Sequence, residues 1–242
     1  NNKIKEIPFN LIDKIHKNSL SKTKPFFSLN KEIVGESHLK KIIRVSKFLK
    51  KNKSDYLFVT APENVAWLLN IRGFDNPNSP IPNCRLLIND KGKFYIIADK
   101  TKLSNLFKEK KIKKNQVIDE KNFEGTINKL NRGKIIIDSK TCSLFFENLF
   151  KKNFKILDKK DPIYLFKAIK NKSEIKHMIN AHILDGVALT RFLYWIKVSN
   201  KKKITEFDAQ NKLESFRKNS KQYLFPSFNT IAGTGKNGAI VH

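Results

Sequence analysis

Five histidines (His16, His38, His177, His182 and His242) and two cysteines (Cys84 and Cys142) are the scarce reactive side chains of this 242-residue chain. His177 and His182 are five apart on one helical stretch, so their rings leave the helix in different directions, unlike a metal pair spaced four apart. They read as packing or surface residues. Two cysteines are too few for a disulfide scaffold or a structural zinc site and read as buried thiols. No His-x-Glu, no Cys-x-x-Cys, no carboxylate cluster with ligand spacing and no nucleophile paired with a base can be assembled. Gly233 to Gly238 spells G-x-G-x-x-G, but that fingerprint needs a helix opening at the third glycine. Here Asn237-Gly238 leads into β-branched Ile240 and Val241, so a hairpin-like connection is expected instead. By residue type and spacing alone, no complete active site is written.

The surrounding elements belong to an α/β chain. Glu36 to Lys50 carries Leu39, Ile42, Ile43, Val45, Phe48 and Leu49 at helical spacing, Tyr56 to Thr60 reads as a buried strand, and Pro62 opens a short helix ending near Asn70. Arg85 to Ile88 and Lys93 to Ala98 flank the turn residues Asn89 to Gly92, a hairpin signal. Helical stretches (102–110, 122–130, 142–150) then alternate with strands (116–118, 134–137, 154–157), which predicts a mixed, largely buried sheet. Residues 1–35, with Pro8, Pro25 and Gly35, read as a connecting segment lying over a surface, and Lys159 to Pro162 as a boundary. Beyond it Ser173 caps a long helix running to about Val198. Thr205 and Asp208 form a capping box that opens a second helix to about Lys218. Two strands are expected last, Phe228 to Ala232 and Ala239 to His242.

The net charge of +27 invites a polyanion-binding reading. Only six of the 49 cations are arginines, whereas phosphate and base recognition favours the arginine fork. The lysines are dispersed, and 26 asparagines accompany them, a pattern expected of A/T-biased coding. A basic nucleic-acid module is therefore the weaker reading. At 40% hydrophobic and 11% aromatic residues the chain can bury a core. It shows neither a membrane-length apolar run nor a signal-peptide core, so a cytoplasmic protein with no membrane partner is expected.

Several separated blocks resemble one family. Glu174-Ile175-Lys176 through Ala181-His182, Asp185 to Leu189, Arg191-Phe192-Leu193, Pro226 to Ile231 and Asn237 to His242 are similar to the opening of the catalytic domain of Xaa-Pro aminopeptidases, the aminopeptidase P family. Ala61 to Gly73, followed by Asp75, Pro77 and Pro80, resembles the middle domain of its three-domain form, and Phe9 to Asp13 the link before it. Creatinase and prolidase share the catalytic fold, but the Asn-Ile-Arg-Gly (70–73) and Pro-Ser-Phe-Asn-Thr-Ile (226–231) blocks look more like aminopeptidase P.

The resemblance implies an α/β middle domain with a mixed sheet, similar to the creatinase N-terminal domain (36–160), after a linker (1–35). It is followed by the N-terminal part of an α+β pita-bread metallopeptidase domain (161–242). It implies hydrolysis of the bond between an N-terminal residue and a following proline by two divalent cations, manganese expected with zinc or cobalt as alternatives, and a homodimer. The five family metal ligands fall beyond His242, so a fragment that holds no metal and is inactive alone is expected. His242 occupies the family's Asn-Gly-Ala-x-x-His position and carries the implied catalytic and substrate-binding role; an imidazole there can donate a hydrogen bond near neutral pH. Arg72 and Asp75 read as a structural ion pair in the loop facing the cleft. The rival within the fold is a metal-free homologue that binds peptides.

Overall fold

The computed structural model describes residues 11–15, 24–199 and 203–239. The helices are α1 (Ile12–Ile15), α2 (Lys31–Val34), α3 (His38–Lys51), α4 (Pro62–Leu69), α5 (Ser104–Lys108), α6 (Phe123–Ile127), α7 (Leu144–Lys151), α8 (Ile163–Ala168), α9 (Lys172–Val198) and α10 (Glu206–Lys218). The strands are β1 (Phe27–Ser28), β2 (Tyr56–Val59), β3 (Ile71–Arg72), β4 (Arg85–Asn89), β5 (Phe94–Ile97), β6 (Val117–Ile118), β7 (Gly133–Ile137) and β8 (Phe154–Asp158). The expected alternation is borne out, with borders shifted by a few residues.

Six strands form one sheet in the order β6-β5-β4-β2-β7-β8. The β2–β4 and β4–β5 pairs run antiparallel, whereas β2–β7, β5–β6 and β7–β8 run parallel, so the sheet is mixed. Successive side chains of a strand point to opposite faces. Leu57 and Val59 therefore join Ile42, Val45 and Leu49 of α3 and Val65 and Leu68 of α4 on one face. Phe58, between them, joins Phe123 of α6 and Leu149 and Phe150 of α7 on the other. Each fully buried Leu or Phe stabilises the fold by about 1.5–3 kcal/mol relative to exposure. The Asn89–Gly92 turn closes as its residue types demand: Asn89 Oδ1 accepts from the Lys91 and Lys93 amides, and Gly92 takes φ +81°.

The segment before α3 is woven into the domain. Phe26 is fully buried, and β1 pairs antiparallel with β3. After β8, Asp161 is buried and accepts from Asn64 Nδ2 at 2.7 Å, and Ile163 of α8 enters the core beside α4. Helix α8 escaped the sequence reading because one short turn after Pro162 carries too little periodicity to register.

Helix α9 is the long helix expected, but its cap is Asn171 rather than Ser173. Asn171 Oδ1 accepts from the Glu174 amide at 3.0 Å, and Glu174 Oε2 accepts from the Asn171 amide at 2.8 Å. The Thr205–Asp208 box opens α10 as expected. The terminal strand pair is overturned over the described residues: 228–232 is irregular, and Gly235–Ala239 forms a 3-10 turn. A strand needs a neighbouring edge for its amides and carbonyls, and no described strand lies beside these runs. Residues 240–242 lie outside the described residues. Among the described residues no helix is long and apolar enough to cross a membrane.

Candidate functional site

His242 and His16 lie outside the described residues. His177 and His182 are exposed on α9, as expected: His177 Nε2 lies 3.4 Å from the Glu32 carbonyl, and His182 Nδ1 lies 2.8 Å from the carbonyl of Met178. His38, half-buried at the start of α3, is pushed down to about 4 by burial, reinforced by Lys111 and Lys41. Cys84 is buried, and burial pushes its thiol far up. Cys142 is only half-buried, its thiol raised to about 11 chiefly by desolvation, so neither is an activated nucleophile at neutral pH. Among the described residues no group of three or more His, Cys, Asp and Glu could hold a metal ion.

Two blocks more than 150 residues apart in sequence meet instead. The loop after β3 is stapled by Asp75, whose carboxylate accepts from the Asn83 amide at 2.6 Å and from Lys102 Nζ at 2.7 Å. Gly73 lets the two arms of the loop touch, since a Cβ there would stand 2.7 Å from Pro82 Cα. From this loop Phe74 stacks on Phe27 at 5.3 Å and meets Phe225 edge-on at 6.3 Å. Asn78 Nδ2 donates to Asn229 Oδ1 at 3.4 Å. The Arg72–Pro80 loop thus lies against the Pro226–Ile231 block, whose chain continues towards His242.

The expected ion pair between Arg72 and Asp75 does not form. Asp75 pairs with Lys102, while Arg72 Nη1 donates to the carbonyl of Ala66 in α4 and to that of its neighbour Ile71 in β3. Residues three apart on a turning chain diverge, and Lys102 takes the carboxylate.

Beside Arg72 lies a polar hub that sequence reading missed. Lys41, on the inner face of α3, is 1% exposed. Its Nζ donates to the Trp67 carbonyl at 2.8 Å and to Asn70 Oδ1 at 2.7 Å, and lies 3.9 Å from the centre of the Trp67 ring. Burial pulls its pKa down to about 8, although Glu174 and Glu36 pull the other way. Asn70 is held in the left-handed conformation, φ 55°, as the C-cap of α4, and also donates to the Glu36 carbonyl. Trp67 Nε1 donates to Glu174 at 3.0 Å, carrying the hub across to α9. The only sequence signal was one lysine, Lys41, next to Ile42 on the apolar stripe of α3.

The model of the creatinase/prolidase N-terminal domain family matches residues 17–174, and that of metallopeptidase family M24 matches residues 176–242. The seam falls at residue 175, just past the capping box of α9. Xaa-Pro aminopeptidase 1 of Dictyostelium discoideum is 32% identical over 247 residues, covering 96% of this chain and 39% of the relative. Xaa-Pro aminopeptidase ApepP of Drosophila melanogaster is 33% identical over 223 residues, covering 89% of this chain and 36% of the relative. A crystal structure of X-prolyl aminopeptidase from Caenorhabditis elegans, described as a cytosolic enzyme with a di-nuclear active site, shares the fold with a TM-score of 0.78 at 24% identity, over 93% of this chain and 38% of that one. The chain thus spans less than two fifths of the length of each of these three proteins. With more than half of its residues matched by that family's model, the chain belongs to the creatinase/prolidase N-terminal domain family.

Proposed function

We propose that this chain is part of a metal-dependent, proline-specific aminopeptidase, comprising its middle domain (36–160, after the linker 1–35) and the opening of its pita-bread catalytic domain (161–242). The observation that carries the reading is the match to Xaa-Pro aminopeptidases across nearly the whole chain, through both the sheet domain and α9–α10. The packing supports it. On α9 the side chains of Ile175, Ile179, Ile183, Val187 and Leu193 are exposed, and on α10 Phe207 is too. Large apolar side chains left bare along two helices are what a larger α+β domain would cover.

The substrate class is a peptide with proline at its second position, the assembly a homodimer, and the location the cytoplasm. The family implies two divalent cations, manganese first among them. The described residues do not fit such a centre, so no step is assigned to a metal held by them. What this chain contributes to chemistry is His242, at the family's substrate-site position, where an imidazole would hydrogen-bond the substrate. The Phe74–Phe225 and Asn78–Asn229 contacts would set the course of the segment that delivers it.

The test is hydrolysis of an Xaa-Pro dipeptide with Mn²⁺ by this chain and by the product of the reading frame extended past His242. Turnover only by the extended product is expected. No turnover by the extended product would reject the activity, and turnover by the short chain would reject the division of labour.

A further inference from the structure

The seam between the sheet domain and α9 encloses a cleft of about 690 Å³, large enough for a small organic ligand. Its floor is the Lys41–Trp67–Asn70 hub, and Leu29, Ile33 and Met178 supply apolar wall. Four cations line it, Lys41, Arg72, Lys167 and Lys170, against one carboxylate, Glu174. That carboxylate is already engaged by Trp67 Nε1 and the Asn171 amide.

Arg72 decides the character of the site. Both of its hydrogen bonds leave from Nη1, to the Ala66 and Ile71 carbonyls, which locks the guanidinium in place. The Nε–Nη2 edge is the side of the fork that receives a carboxylate through two parallel hydrogen bonds, and no bond within the described protein uses it. Burial lowers the pKa of Arg72, with Glu174 pulling the other way. The hub holds Lys41 in place by two hydrogen bonds, and Lys167 and Lys170 lie at the more open part of the lining.

We propose that this cleft is a binding site for an organic carboxylate with an apolar tail of one or two residues' size, the carboxylate on Arg72 and the tail against Leu29, Ile33 and Met178. A peptide C-terminus and a free N-acyl amino acid share that chemistry.

The test uses the 242-residue chain carrying Trp195→Phe, so that Trp67 in the cleft wall is the sole tryptophan reporter. Titration with N-acetyl-leucine is expected to change Trp67 emission saturably, with a dissociation constant of about 10 µM to 1 mM. N-acetyl-leucinamide, which keeps the tail and loses the charge, and acetate, which keeps the charge and loses the tail, should each bind at least about 10-fold more weakly. Arg72→Gln should weaken binding by about 10-fold or more. Lys170→Gln, at an exposed position that cannot disturb the core, should weaken it about 2- to 3-fold and reduce its salt dependence. Tighter binding of Gly-Gly-Gly-Ala-Leu than of N-acetyl-leucine assigns the site to peptide C-termini; the reverse order assigns it to free acids. No saturable change up to about 20 mM, equal binding of the amide or of acetate, or full affinity in a folded Arg72→Gln chain would overturn the proposal.

Discussion

Lys41 Nζ donates to Asn70 Oδ1 at 2.7 Å, joining the first turn of α3 to the residue that ends α4 by a buried, charge-assisted hydrogen bond. The same asparagine takes the left-handed conformation that stops α4, so one side chain both terminates a helix and supplies the partner of a buried cation. The tightness of this corner follows from that double duty.

Replacing Lys41 by methionine removes the cation, leaves Asn70 Oδ1 without its donor and leaves the Trp67 carbonyl with only the long bond from the Asn70 amide. The expected loss is about 2–4 kcal/mol, read as a lower urea midpoint with an unchanged slope. The pH dependence has a definite sign. The folded pKa, about 8, lies below the ordinary lysine value of 10.5, so the unfolded chain holds more protons between them and stability rises with pH across that window. The contribution is complete above about 10.5 and is lost as pH falls through about 8. Wild type minus Lys41→Met, measured from pH 7 to 10.5, should climb by up to about 3 kcal/mol. A flat difference would refute the assignment.

His38 behaves alike at acid pH. Its pKa is pushed from 6.5 to about 4, so it stays neutral in the folded chain at pH 5. Its contribution is full above about 6.5 and is lost as pH falls through about 4, where the ring must charge in a desolvated position beside Lys111 and Lys41. Proton NMR of the His38 ring should show no titration midpoint above about 5, and His38→Gln should flatten the stability profile between pH 6.5 and 4.

Gly35→Ala should destabilise by about 1–3 kcal/mol, seen as a lower melting temperature. The backbone there has φ +69°, and a Cβ would lie 2.5 Å from Asn171 Oδ1, the cap of α9. Asn171 also donates to the Val34 carbonyl at 2.8 Å, so the clash falls where α2 meets α9. The double variant Gly35→Ala/Asn171→Ala should lose less than the sum of the singles, because removing Asn171 relieves the tightest contact and leaves those with Ser173.

In the extended gene product, His242→Ala should lower kcat/KM for an Xaa-Pro dipeptide by about 100-fold, with little change in melting temperature. Activity within a factor of two or three of wild type would remove His242 from the substrate site.

The elements and their family were legible in the chain because the signals are local. The spacing of Ile42, Val45 and Leu49 marks α3, Asn89 to Gly92 marks the hairpin, Thr205 and Asp208 mark the start of α10, and each depends on residues a few positions apart. Motif order along the chain named the family for the same reason. Side-chain partnerships across sequence were not legible. Asp75 sits three residues from Arg72 yet pairs with Lys102, because a stapled loop turns it away from one cation and towards the other. Lys41 looked like an ordinary lysine of a Lys-rich chain; only the packing of α3 on α4 strips its water and supplies the two oxygens that replace it. The expected terminal strands show the converse. Their residue types suit strands, but a strand is made by a neighbour's backbone, and over 228–239 the fold supplies none. Local propensity thus determined what each segment could become, and the tertiary structure decided which charges and carbonyls it would meet, since those contacts exist only once distant segments share a desolvated space.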